Sequence, residues 1–258
     1  VAALAMKARL DPAWLIPQWP APARVHAIFT TRAGGQSVAP YDALNLGTQV
    51  GDSAAYVEAN RRVLQRATGV RPVFLSQVHG AQTVLLSEAT PDASAGDGWV
   101  TDQPGLACSI LVADCLPVLL TNLQGSAVAA AHAGWRGLAG SGGRGIMEQI
   151  CESFMALGPV YNAQSATNII AWLGPCIGPQ VFEVGDEVRT AFVANDLAAA
   201  AMFRPTGLDR PVAARGQKWL ADLQGLARLR LRALGVTQIF GNDGSSPWCT
   251  VSNPSSFF

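Results

Sequence analysis

At 258 residues the chain accommodates one large domain or two small ones, and a hydrophobic content of 49% supplies a substantial core. Its 18 basic and 18 acidic side chains balance, and no Lys/Arg-rich run appears, which argues against a nucleic-acid partner. The 5 cysteines are odd in number and widely spaced, without a C-x-x-C. That pattern argues against a disulfide framework and for a reducing cytoplasm, and no apolar run has membrane-spanning length, so no membrane partner is expected.

In chain order, residues 1–23 read as an irregular N-terminal arm rich in proline and tryptophan, without the regions of a signal peptide. Residues 25–30 read as a strand, and the Gly-, Ser- and Asn-rich stretch 31–51 as a long functional loop. A helix over 53–68 has Asp52 or Ser53 as its cap and Gly69 as its stop. Strands follow at 73–78 and 83–87, a polar loop at 90–98, and strands at 99–102 and 107–120. The apolar runs 110–120 and 127–133 flank the turn Asn122-Leu123-Gln124-Gly125 and read as a buried hairpin. A helix at 145–157 stops at Gly158-Pro159, and a buried strand at 168–173 leads into the turn 174–179. Next come a helix carrying Val181, Val184 and Val188, helical residues 191–201 and a loop at 204–215. An amphipathic helix over 217–234 presents Arg228, Arg230 and Arg232 as a solvated face, and the last strand is 238–240. Strands and helices mix without βαβα alternation, and neither repeat nor linker divides the chain. The expectation is one mixed α/β domain over 1–258, monomeric for want of any sign of an obligate interface.

Of the 3 histidines, His79 and His132 sit in the segments Leu75-Ser76-Gln77-Val78-His79-Gly80 and Ala131-His132-Ala133-Gly134-Trp135-Arg136-Gly137. The third informative segment is Ala113-Asp114-Cys115-Leu116-Pro117. Two imidazoles and a thiolate suit a borderline-soft ion such as zinc, and three protein ligands leave a fourth position for catalysis. In a hairpin centred on Leu123 and Gln124, Cys115 lies opposite His132 with Cβ atoms roughly 4.5–5.5 Å apart. Pro117 tempers that register, and a one-residue slip would send the two side chains to opposite faces. His79 ends an apolar run before Gly80 and must reach the pair from outside the hairpin.

These segments resemble the YfiH family, also called laccase-domain or multicopper-polyphenol-oxidoreductase-type proteins. So do Thr31-Arg32 with Gly34-Gly35, Leu44-Asn45-Leu46-Gly47, Val50-Gly51-Asp52, Asn60-Arg61, Gly174-Pro175-Cys176-Ile177-Gly178 and Cys249-Thr250. The resemblance implies a four-layer α/β/β/α single domain with mixed sheets and a zinc site at His79, Cys115 and His132. It implies purine nucleoside phosphorylase activity on adenosine, inosine and methylthioadenosine, with adenosine deaminase activity besides. The same family is described as a copper-dependent polyphenol oxidase, and some members are linked to peptidoglycan precursor editing.

Small-molecule chemistry on a purine nucleoside with phosphate asks for further groups. Arg32 and Arg136 are candidates for phosphate, Asn45 and Gln77 for base or ribose, and Asp114 for a catalytic carboxylate, although strand alternation turns it from Cys115. Zinc brings the pKa of water to about 7, as deamination at the purine C6 requires. Copper is the alternative metal, but 3 histidines cannot build a multicopper array. A metal-free hydrolase with Cys115 as nucleophile and His132 as base, and a structural zinc domain closed by Cys176, are rival readings. Gly140, Gly142 and Gly145 formally match a dinucleotide fingerprint, but the preceding strand ends too early for that role; a phosphate nest at this helix start is the weaker alternative to a surface insertion.

Overall fold

The computed structural model describes residues 10–157, 166–207 and 217–258. Residues 1–9 of the expected arm, the Gly158-Pro159 stop and residues 208–215 of the expected loop lie outside the described residues. Helix α1 (Ala54–Thr68) buries Val57, Asn60, Leu64 and Ala67 on one face, and Gly69 ends it in the left-handed region, donating to Gln65 O at 2.8 Å. That face covers a two-stranded parallel sheet of β1 (Arg71–Phe74) and β4 (Leu106–Ser109). The two-stranded sheet rests in turn on a six-stranded one. The larger sheet comprises β2 (Thr83–Leu85), β3 (Gly98–Thr101), β5 (Leu116–Asn122), β6 (Val128–Ala133), β7 (Ile169–Leu173) and β11 (Gln238–Gly241), in the order β11-β7-β5-β6-β3-β2. The short helix α2 (Trp135–Ala139) follows β6, and α3 (Ile146–Ala156) packs on the far face of the six-stranded sheet. The order α1, small sheet, large sheet, α3 gives the mixed α/β, four-layer arrangement that the resemblance implied. A third sheet of β8 (Glu183–Gly185), β10 (Lys218–Ala221) and β9 (Phe203–Pro205) accompanies α4 (Asp186–Val193) and α5 (Leu223–Ala233).

The two faces of the large sheet do different things. Leu116, Val118, Leu120, Ala131 and Leu173 point towards Ile146, Ile150 and Phe154 and form the main core. Burial of each such Leu, Ile or Phe side chain is worth about 1.5–3 kcal/mol. Period-two alternation sends Pro117, Leu119, Ala130, His132 and Trp172 to the other face, beneath the small sheet.

Several expected elements differ. Residues 25–30 form no strand and hold only an isolated bridge between Leu15 and Phe29. The run 110–120 is broken, for β4 ends at Ser109 and β5 starts at Leu116, with bends at 113–115. The hairpin register pairs Pro117 with His132 and Leu116 with Ala133. It is displaced by two from the expected one because the turn is longer: Asn122 Oδ1 accepts from Ser126 N at 2.9 Å and closes a wider loop. A two-residue displacement preserves parity, so Cys115 and His132 still share a face. The helix expected through Val181 and Val184 starts only at Asp186, after β8. Residues 191–201 divide between α4 and a 3-10 turn, Leu197–Met202, capped by Asp196. Residues 217–234 divide likewise, because Asp222 accepts from Gly225 N at 2.6 Å and begins α5 after β10.

Of the arginines of α5, Arg232 is exposed as expected, but Arg228 and Arg230 are turned inward. Arg230 is buried and its Nε donates to Glu148 Oε1 at 2.8 Å, and it reaches Gly143 O as well. Arg228 donates to the carbonyls of Ile239, Gly241 and Asn242 at 3.1, 3.3 and 2.7 Å. Glu148 also accepts from Gly145 N at 2.7 Å, so the start of α3 is filled by its own carboxylate rather than left open for phosphate. Gly140 is required for a different reason: a Cβ there would lie 1.9 Å from Arg144 O.

Candidate metal centre

His79, Cys115 and His132 converge at the sheet face opposite the main core, with their ligand atoms all within 4.8 Å of one another. Cys115 arrives on the bend just before β5, and His132 comes from β6. His79 comes from the turn that follows β1, where its backbone has φ 59°. A left-handed histidine costs about 1–3 kcal/mol unless its surroundings compensate. The rings of His79 and His132 meet edge to face with centroids 4.7 Å apart.

Asp97 holds this turn in place. It is fully buried, and its Oδ1 accepts from His79 N at 2.9 Å and lies 2.9 Å from His132 Nδ1. Its Oδ2 accepts from Gly80 N at 2.7 Å and Val78 N at 3.3 Å. Its carbonyl accepts from His132 N at 2.7 Å. Burial alone would raise the Asp97 pKa, but the hydrogen bonds from His132, Gly80 and Val78 prevail and hold the carboxyl below the usual range. Burial likewise works against a charged His132, yet its hydrogen bonds with Asp97 and Cys115 push it up to about 9. His79 moves down, through burial first and then the charge of His132.

Gly134 and Gly137 let α2 close over the cluster. A Cβ on Gly134 would lie 2.9 Å from Cys115 Sγ and 3.1 Å from His79 Cδ2, and one on Gly137 would lie 2.4 Å from Gly80 O. The three donors fit a thiophilic divalent ion with one position left over, and the space that Gly134 leaves clear is that of the donors themselves. Cys176 is outside the cluster. It is buried, close to Gln224 Oε1 at 3.6 Å and Asn242 Nδ2 at 3.4 Å, so it does not close the fourth position.

The centre opens on a cavity of about 1000 Å³ between the two sheets, lined in part by Asn45, Gln77, Asp114, Trp172 and Phe258. That volume lies at the upper end for small-molecule sites. The expected substrate residues fall into two groups. Arg32 lies outside this lining and clamps the C-terminal segment, donating to Asp42 O at 2.6 Å, Pro40 O at 3.3 Å and Phe257 O at 3.4 Å, with its guanidinium 4.5 Å from the Phe258 ring. Gln77 is paired through both amide atoms with the backbone of Leu111, each at 2.8 Å, and so anchors the segment leading to Cys115. Asn45 donates to Asp52 Oδ2 at 3.0 Å and accepts from Gly47 N at 2.9 Å. Asp114 and Arg136 are exposed near the centre: Asp114 Oδ1 accepts from Thr250 Oγ1 at 2.7 Å, and Arg136 stacks 4.5 Å from the Trp135 ring while its charge bears on His79. Asp97 was missed in the sequence, where it falls within the polar loop 90–98. Its signal was an acidic residue between Gly96 and Gly98, against the apolar strand that opens at Trp99.

A mixed α/β domain with two imidazoles and a thiol gathered at a large cavity defines the class. The chain belongs to the family described as multi-copper polyphenol oxidoreductase laccase, whose model matches residues 26–258. It is 44% identical over 246 residues to a protein of Escherichia coli (strain K12) named purine nucleoside phosphorylase YfiH, covering 95% of this chain and 91% of that protein. A Pseudomonas aeruginosa protein named purine nucleoside phosphorylase PA4543 is 45% identical over 246 residues, with 95% and 91% covered. Among solved structures, Neisseria meningitidis protein NMB0706 superposes with a TM-score of 0.82 at 39% identity, covering 95% of this chain and 92% of that one. YlmD from Geobacillus stearothermophilus gives 0.72 at 29% identity, with 92% and 86% covered. No helix among the described residues is long and apolar enough to cross a membrane.

Proposed function

We propose that this chain is a zinc-dependent purine nucleoside enzyme. It transfers the ribosyl group of adenosine, inosine or methylthioadenosine to phosphate with release of the free base, and also hydrolyses adenosine at C6 to inosine and ammonia. The observation that carries this reading is the His79, Cys115 and His132 cluster on a cavity of about 1000 Å³, in a chain whose close relatives are named purine nucleoside phosphorylases. When bound, the ion supplies Lewis acidity at the cavity wall. The chain's own residues do the rest. Asp97, 2.9 Å from His132 Nδ1, would hold a proton there and so leave Nε2 free to act as the ligand. Gln77 and Asn45, whose amides are engaged within the protein, shape the wall, and Arg32 fastens the C-terminal segment that completes it. Arg136 and Asp114 contact phosphate and ribose from the rim. The test is metal analysis of the purified protein with product analysis on adenosine plus phosphate, for the wild type and Cys115→Ala. Stoichiometric zinc with adenine or inosine formed, both lost in the variant, is expected. A variant that keeps zinc and turnover refutes the assignment.

One observation favours a second reading. Cys115, His132 and Asp97 stand in a line of hydrogen bonds, as a nucleophile, base and orienting carboxylate do. A cysteine hydrolase built this way works in the presence of chelator, whereas the zinc enzyme does not.

A further inference from the structure

We propose that Asp97 is the positioning residue of the centre: one buried carboxylate sets both histidine donors at once, His132 through its ring and His79 through its backbone. The inference rests on the metal reading given above. The two histidines come from different layers, His132 from the large sheet and His79 from the turn after the small one. Asp97 ties them together with two oxygens. Oδ1 lies 2.9 Å both from His132 Nδ1 and from the His79 amide. Oδ2 takes the Gly80 and Val78 amides at 2.7 and 3.3 Å, holding the left-handed turn on which His79 sits. The residue is itself immobile, for it is fully buried, its amide donates to Gln82 O at 2.8 Å and its carbonyl accepts from His132 N at 2.7 Å.

A merely structural carboxylate would matter to unfolding but not to the donors. An Asn at 97 keeps shape and volume but turns an amide nitrogen towards backbone N–H donors, whichever way it faces. The donors then lose their common anchor, and loss of such an outer partner weakens metal binding by about 10–100-fold.

The experiment titrates zinc alone into the full chain against a chromophoric chelator, for the wild type, Asp97→Asn and Glu148→Gln. The last also alters a buried carboxylate, but one at the start of α3, away from the donors. The expected result is zinc affinity down about 10–100-fold in D97N and unchanged in E148Q. Equal affinity of D97N and wild type overturns the inference alone, and a wild type that binds no zinc overturns the metal reading and the inference together. Should D97N not fold, ring-nitrogen NMR of the zinc-loaded wild type decides, because only 3 histidines contribute. A proton on His132 Nδ1 with Nε2 on zinc supports the inference, and the opposite arrangement overturns it.

Discussion

Gly134→Ala adds a single methyl against two of the three donors. The backbone there, φ −68° and ψ 159°, suits alanine as well as glycine, so the substitution brings no backbone strain. The added methyl, however, lies 2.9 Å from Cys115 Sγ and 3.1 Å from His79 Cδ2, where ordinary contact begins at 3.4 Å. Relief of the sulfur contact alone needs a retreat of about half an ångström, against a tolerance of about 0.2 Å in metal–ligand distances. We therefore expect zinc affinity to fall about 10–100-fold, which corresponds to about 1.4–2.8 kcal/mol. The metal-free protein should lose about 1–3 kcal/mol of stability at most, as overpacked sites do. Chelator competition reads the first quantity and urea denaturation of metal-free protein the second. Wild-type zinc affinity in the variant would refute the geometry argued for the donors.

Other consequences are as concrete. In metal-free protein the hydrogen bonds with Asp97 and Cys115 push His132 up to about 9. Because this exceeds the unfolded value near 6.5, its contribution to stability is complete below that value and disappears as pH rises through about 9. The same proton must leave when a metal ion binds, so zinc affinity should fall about tenfold per pH unit below 9 for each proton displaced; calorimetry in two buffers of different ionisation enthalpy that finds no proton release would contradict this. Arg230→Ala strands the buried Glu148 carboxylate and should cost about 3–5 kcal/mol in urea denaturation, much of it recovered in the double variant Glu148→Leu with Arg230→Met. A single variant as stable as wild type would show the pair to be dispensable. Iodoacetamide at neutral pH should spare Cys151 and Cys176, whose burial pushes their thiols up, and label the half-buried Cys115 at a rate that zinc reduces. Mass spectrometry showing equal labelling of all three would defeat that ordering.

What could be read from the sequence followed from local rules. The apolar runs located β6 and only the second half of the strand expected over 107–120, Gly69 fixed the end of α1, and the soft donor set of His79, Cys115 and His132 followed from composition and side-chain chemistry. The hairpin was displaced because the side chain of Asn122 widens its turn, which periodicity does not register. Parity kept the donors together all the same. Residues 217–234 looked like one helix because β10 is short and apolar enough to pass as its first turns, and Asp222 as a cap was hidden inside that period. The roles of Arg230 and Asp97 were hidden for a common reason. Each is a charge buried by a partner far along the chain, Glu148 for one and His132 for the other, and local sequence carries no trace of such a partner.

The centre draws on four separate stretches of chain, at 79, 97, 115 and 132, that meet only once β3, β5 and β6 have paired across the sheet. A partly folded chain therefore presents scattered ligands and no binding site. Under the proposed metal reading, any ion captured belongs to the native state alone, and it must be surrendered before the protein can unfold. At a free concentration one hundred times its dissociation constant, the ion adds about 2.7 kcal/mol to the folded state. Metal supply would then set how long each molecule survives as well as how fast it works.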